Sequence, residues 1–174
     1  MPLEFDIKLK PKDMFLFNMY QTYTSFSGWF SIVFGVAFFG FAGYSCYAYK
    51  EAGYTNAVLY LLAGIFLLAY MPFTLWMRAG RSIKASPVLS GVLHYHVDAD
   101  GFTVTQGEAS GVLAWKQIYK MVATKSNVLV YSNRLNAYVI PRAQLGEQYV
   151  SLAKLANDKL PKFRVRMKVT IKDV

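Results

Sequence analysis

His94 and His96 are the two residues whose type and spacing come closest to a reactive constellation. Residues two apart on a strand project to one face, so both rings could approach one metal ion. A zinc site needs three or four ligands, and the chain holds only two histidines and one cysteine. Asp98 and Asp100 belong to an AspAlaAspGly run, which is turn-forming. The pair is therefore expected at or just below the surface, without a metal. Acid–base catalysis needs two positioned carboxylates or a histidine with a partner. The six acids after Met77 fall mostly in turns or near the C-terminus. No nucleophile elbow, phosphate loop, dinucleotide fingerprint or zinc-protease pattern occurs. The expectation is a non-enzymatic protein with no cofactor.

The cations carry the remaining signal. Residues 78 to 174 hold fifteen Lys or Arg against six Asp or Glu, so this part carries the whole net charge of +9. Arg78, Arg81 and Lys84 follow an apolar run directly, as residues touching lipid phosphates would. Lys116, Lys120, Lys125, Arg134 and Arg142 lie in or beside the turns of a strand-rich region. The candidate anion or lipid contacts are Arg78, Arg81, Lys84, Lys116, Lys120 and Arg142, weighed against an ordinary solvated surface. Anionic headgroups and an unidentified protein are the partners these cations suit. Nucleic acid, the other usual partner of a high pI, is not expected beside a membrane anchor.

The elements behind these residues begin with two apolar runs. No charged residue occurs between Met14 and Tyr49 or between Ala52 and Met77. Roughly Phe26 to Tyr49 and Asn56 to Trp76 each suffice for the ~20 apolar residues of a membrane span. The depth of the first run and the presence of a second argue against a cleaved signal peptide. Cys46, the only thiol, excludes an internal disulfide and reads as a packing residue inside the first run. The short linker Lys50–Thr55 requires an antiparallel hairpin. Lys8, Lys10 and Lys12 precede it and Arg78, Arg81 and Lys84 follow it. The positive-inside rule then puts both termini of a multi-pass cell-membrane protein in the cytoplasm. Ser31 with Gly35, and Ala42 with Cys46, are small residues four apart. They allow close approach within the hairpin or homodimerisation through the first span.

Before the hairpin, Leu3, Phe5, Ile7 and Leu9 alternate with charged residues, which predicts a strand. Asp13 is placed to cap a helix beginning at Met14. After the hairpin, strand signals span Val92–Val97, Phe102–Gln106, Val112–Trp115, Tyr119–Thr124, Val128–Tyr131 and Ala137–Ile140. Their short polar turns predict a six-strand antiparallel meander. Leu145, Val150, Leu152, Leu155 and Leu160 predict a helix ending near Lys159. Residues 163 to 172 alternate apolar residues with cations and predict an extra strand. Its Arg164, Arg166, Lys168 and Lys172 are complementary to Glu4 and Asp6, so the two terminal strands are expected to be neighbours. The predicted domains are 1–25 (strand and pre-membrane helix), 26–77 (hairpin) and 85–174 (basic domain).

Trp115, Ile118 and Tyr119, then Val128–Tyr131, then AlaTyrValIleProArg at 137–142 resemble the YcxB-like membrane proteins of bacteria. The resemblance implies an α+β membrane protein: a transmembrane hairpin followed by an antiparallel pleckstrin-homology-like sheet closed by one C-terminal helix. It carries no catalytic or ligand residue position by position. The expected function is an interaction module for a protein partner or anionic lipid at the inner leaflet. Small membrane proteins with similar domains are associated with protection against membrane-active peptides, so self-protection is one alternative. A membrane-held regulator that sequesters a cytoplasmic factor is another.

Overall fold

A computed structural model describes residues 2–167, with backbone alone for Ser27 and residues 49–53. The chain divides into two compact units, one of residues up to Phe17 and from Gly80 onward, the other Asn18–Ala79. The N-terminal strand thus groups with the residues after the hairpin.

Strand β1 (Leu3–Lys8) buries Phe5 and Ile7 and exposes the charged residues between them. Helix α1 (Pro11–Tyr23) starts three residues earlier than its expected start at Met14. Proline suits the first helical turn, where its missing N–H is not needed. Asp13 still caps the helix, but from inside, its carboxylate accepting the Lys10 backbone N–H at 3.0 Å.

Helical backbone occupies Phe26–Ala85 (α2), which is not one rod. Ser31 Oγ donates to Leu67 O at 3.2 Å across 36 residues, a separation that a straight helix would stretch to about 54 Å. The Phe38 and Tyr60 rings also meet, at 6.1 Å. Two arms, Gly28–Ala48 and Tyr54–Ala85, therefore run antiparallel, and each is long and apolar enough to cross a membrane. Only 17% of the first and 11% of the second is buried within the protein, so most of their apolar surface faces outward. Gly35 and Gly64 set the closeness of the arms: a Cβ on Gly35 would lie 2.6 Å from the Leu68 side chain, and one on Gly64 3.1 Å from Gly35 O. Ser31 and Gly35 are thus used inside the hairpin.

A short helix α3 (Pro87–Ser90) leads into the strands that follow the hairpin. These are β2 (Val92–Val97), β3 (Gly101–Gln106), β4 (Ala109–Ala114), β5 (Lys120–Ala123), β6 (Asn127–Tyr131) and β7 (Ala137–Pro141). Helices α4 (Arg142–Leu145) and α5 (Gln148–Lys159) follow, then a two-residue strand β8 (Val165–Arg166). The layout is α+β.

The strands form two sheets, not one continuous meander: β1-β2-β3-β4 and β7-β6-β5-β8. A 3-10 turn at Trp115–Gln117 makes the break. The buried Trp115 ring is held there by its Nε1–H, which donates to Asp98 O at 3.0 Å, and by edge contact with Phe102 at 5.1 Å.

Strand β1 pairs antiparallel with β2 over six residues, from Leu3 opposite Val97 to Lys8 opposite Val92. The expected pairing of the terminal strands is not found. Within the described residues, Val165 and Arg166 lie parallel to β5, opposite Met121 and Val122, in the other sheet. Residues 168–172 of the predicted extra strand, with Lys168 and Lys172, lie outside the described residues. Glu4 and Asp6 face His96 and His94 instead of C-terminal cations. Charge complementarity alone could not choose between those partners, because both offer a proton donor.

Helix α5 presents Tyr149, Leu152, Ala153 and Ala156 to the core. The spacing is the anticipated helical one. Alanines take two of its places, while Val150 and Leu155 are only half-buried.

Candidate anion-binding site

The β5–β8 pair gathers cations from three parts of the sequence. Arg142 opens α4, immediately after Pro141 ends β7. Its guanidinium lies 4.1 Å over the Tyr149 ring, and Nη1 donates to Thr124 O at 3.3 Å. A planar cation held on an aromatic face and a carbonyl is oriented before any ligand arrives. Together with Lys125, Arg166, Thr124 and Met167, Arg142 lines a cleft of about 500 Å³.

At the other end of β5, Lys120 Nζ sits 4.4 Å from the Tyr131 ring centroid. Arg164 Nη1 donates to Ile118 O at 3.3 Å, with the guanidinium 5.7 Å from the Phe163 ring. These two cations, Arg166, Tyr119 and Phe163 border a second cleft, of about 280 Å³. Among the described residues, no acidic one lines either cleft. Arg166 belongs to both, so β8 joins the two hollows into one basic strip. A third cleft, lined by Pro2, His96, Asp98, Ala99, Leu155 and Lys159, mixes both signs of charge.

Of the six cations singled out in the sequence, Lys120 and Arg142 come to this strip. Lys116 is exposed in the 3-10 turn, and Arg78, Arg81 and Lys84 lie on the last turns of α2; none of the four lines either cleft. Arg164 and Arg166 were legible as the cationic face of an alternating segment, but not as part of a site. Their place depends on a parallel pairing with β5, more than forty residues away. Tyr149 carried no local signal at all.

The histidines hold no metal arrangement. His94 Nδ1 lies 2.6 Å from Asp6 Oδ1, and His96 Nδ1 lies 2.9 Å from Glu4 Oε1. No group of three or more His, Cys, Asp or Glu suited to a metal occurs among the described residues. Asp98 accepts the backbone N–H groups of Asp100 and Gly101, and those bonds hold its carboxyl below the usual carboxylate range. Burial, with Tyr138 adding to it, pushes the Tyr95 phenol well above its ordinary range, so it stays neutral.

The sequence pattern of one known family, the YcxB-like proteins, matches residues 97–156. This stretch is YcxB-like. It runs from the last residue of β2 into α5 and contains Lys120, Lys125, Arg142 and Tyr149. The hairpin, β1 and β8 lie outside the YcxB-like match, so the basic strip combines matched residues with Arg164 and Arg166 beyond it. No curated protein and no solved structure matches the chain.

Proposed function

We propose that the protein is a non-enzymatic recognition module held in the cell membrane by its hairpin. A pleckstrin-homology-like unit on the cytoplasmic side binds anionic phosphate groups of lipid headgroups in the β5–β8 strip. Two apolar arms of sufficient length support membrane insertion. The cations flanking them support a cytoplasmic position for both ends. The β1–β2 ladder independently supports both ends lying on one side of the membrane. Strands that share six residue pairs must lie on one side of a bilayer, so the chain between them crosses an even number of times. Two sheets meeting at a sharp break, followed by a core-filling helix, support the pleckstrin-homology-like reading.

The observation that carries the function is Arg142, fixed by Tyr149 and Thr124 O at a cleft shared with Lys125 and Arg166 and lined, among the described residues, by no acid. Guanidinium and phosphate match in shape and charge, and a cleft of about 500 Å³ is within the usual range for a small ligand site. The test uses full-length protein in zwitterionic nanodiscs, titrated with glycerophosphoglycerol and with glycerophosphocholine. The anionic compound binds and the zwitterionic one does not, and Arg142→Ala weakens binding at least tenfold. Equal binding of both compounds, or an unchanged affinity in Arg142→Ala, overturns the proposal.

A further inference from the structure

The edges of the two sheets differ in how they are protected among the described residues. Along β1, Gln144 Oε1 accepts the Lys8 N–H at 2.9 Å and its Nε2 donates to Lys8 O at 3.0 Å; Gln148 Nε2 donates to Glu4 O at 3.1 Å. Among the described residues β8 is two residues long, and β7 carries Pro141 at its end. Strand β4 has none of these protections. Its sequence, AlaSerGlyValLeuAla, contains no charge and no proline, the usual devices that keep an edge from pairing. Its first four residues are exposed, Val112 to 71%.

Which of its backbone groups face outward follows from the hairpin. Gln106 and Ala109 close the β3–β4 turn, with Gly107 at φ +58 beginning the two-residue loop. In such a loop the closing pair exchanges hydrogen bonds, and bonded and non-bonded pairs then alternate. The bond from Trp115 N–H to Asp100 O, at 3.1 Å, has the same phase. Ala109, Gly111 and Leu113 therefore bond to β3, while Ser110, Val112 and Ala114 turn their N–H and C=O groups away. Gln117 Oε1 accepts the Ala114 N–H at 3.2 Å. The N–H and C=O of Ser110 and Val112 have no partner among the described residues.

We infer that this edge pairs with β4 of a second copy of the same chain, antiparallel, about a two-fold axis at Gly111. Ser110 then exchanges both bonds with the partner's Val112, and Val112 with the partner's Ser110, which occupies all four free groups on each side. The register keeps every side chain on its own face, because residues whose numbers sum to an even value share a face in this pairing. Ser110 and Val112 stay beside Thr105 and Thr103, across from which they already lie in the sheet. Glycine opposes glycine at the axis, where a Cβ would meet nothing within 4 Å in the single chain. No like charges meet. The strand's own sequence supplies this fit, and no foreign peptide need be invoked. The result is one eight-stranded sheet spanning two copies. Six residues a side bury less than the roughly 1,200 Å² of a stable interface, so the pairing is reversible and is best detected by trapping.

The test uses the full chain in its own membrane with Cys46→Ala, which removes the native thiol. Gly111 faces its counterpart as a non-bonded pair, with Cα atoms about 4.5 Å apart, a separation that suits a disulfide. Gly111→Cys forms a disulfide-linked dimer under mild oxidation, at least fivefold more than Val88→Cys, whose exposed site is elsewhere. Adding Val112→Lys, at a position too exposed to disturb folding, removes that excess. Cross-linking of Gly111→Cys that is no greater than that of Val88→Cys, or that persists with Val112→Lys, overturns the inference.

Discussion

His94 Nδ1 lies 2.6 Å from Asp6 Oδ1, directly across the β1–β2 ladder. His96 repeats the contact with Glu4 one step along. The acids of the N-terminal strand are thus matched within their own sheet. Both members of the first pair are exposed, at 48% and 66%, so its worth is that of a surface pair. A double-mutant cycle with Asp6→Asn and His94→Gln, read from thermal melts in one detergent, gives a coupling of about 0.2–1 kcal/mol. The coupling shrinks at about 1 M salt, where screening reaches ~3 Å. A coupling of several kcal/mol would contradict the exposed geometry.

Asp98 links acidity to the β2–β3 turn. Its carboxyl is held below the usual carboxylate range by N–H bonds from Asp100 and Gly101. A depressed folded-state value means the stabilisation is fully present above the unfolded-state value and is lost as pH falls through the folded one. Asp98→Asn keeps the turn acceptor without the charge. The stability gap between wild type and Asp98→Asn therefore narrows with acidification below the ordinary carboxylate range, as melts over a pH series will register.

Leu152 is completely buried on α5, between the neighbours Tyr149 and Ala156 on the same stripe. Leu152→Ala costs about 2–5 kcal/mol through lost burial and the cavity left behind. Lys154→Ala, two residues on at an exposed position, changes stability by no more than ~0.5 kcal/mol. Denaturant melts of the two variants side by side make the comparison.

Gly64 sits against Gly35 O and the Phe38 and Phe39 side chains, whereas a Cβ on Gly43 would meet nothing within 4 Å. Gly64→Leu forces the arms apart, lowers the melting temperature in micelles and breaks the Ser31–Leu67 hydrogen bond. Gly43→Leu melts like the wild type. Equal melting of the two variants would rule out close packing at Gly64.

Arg142 stacks on Tyr149 as a plane, and lysine cannot reproduce that. With the anion assay described above, Arg142→Lys loses about 0.5–2 kcal/mol of binding although the charge is kept. Identical affinities for the lysine variant would mean that charge alone matters.

Much of the fold was legible because its signals are local. Period-two alternation located β1, and the AspAlaAspGly turn separated β2 from β3. A linker of a few residues between apolar runs left no arrangement but a hairpin. The break between sheets was not legible, since Trp115 ends β4 through contacts with Asp98 and Phe102 far back in the chain. The site was half legible for the same reason. Lys120 and Arg142 stood out as cations near turns, but Arg164 and Arg166 reach them only through a parallel strand pairing that no nearby residue encodes.

Asp6 and His94 are 88 residues apart in sequence, with the entire hairpin between them. During synthesis β1 therefore leaves the ribosome long before β2 exists, and its ladder groups stay in water until both arms have been made. A nascent chain that stops short of Val92 leaves that first strand without its ladder partner and open to proteases. The N-terminus therefore zippers late, onto a sheet translated after it.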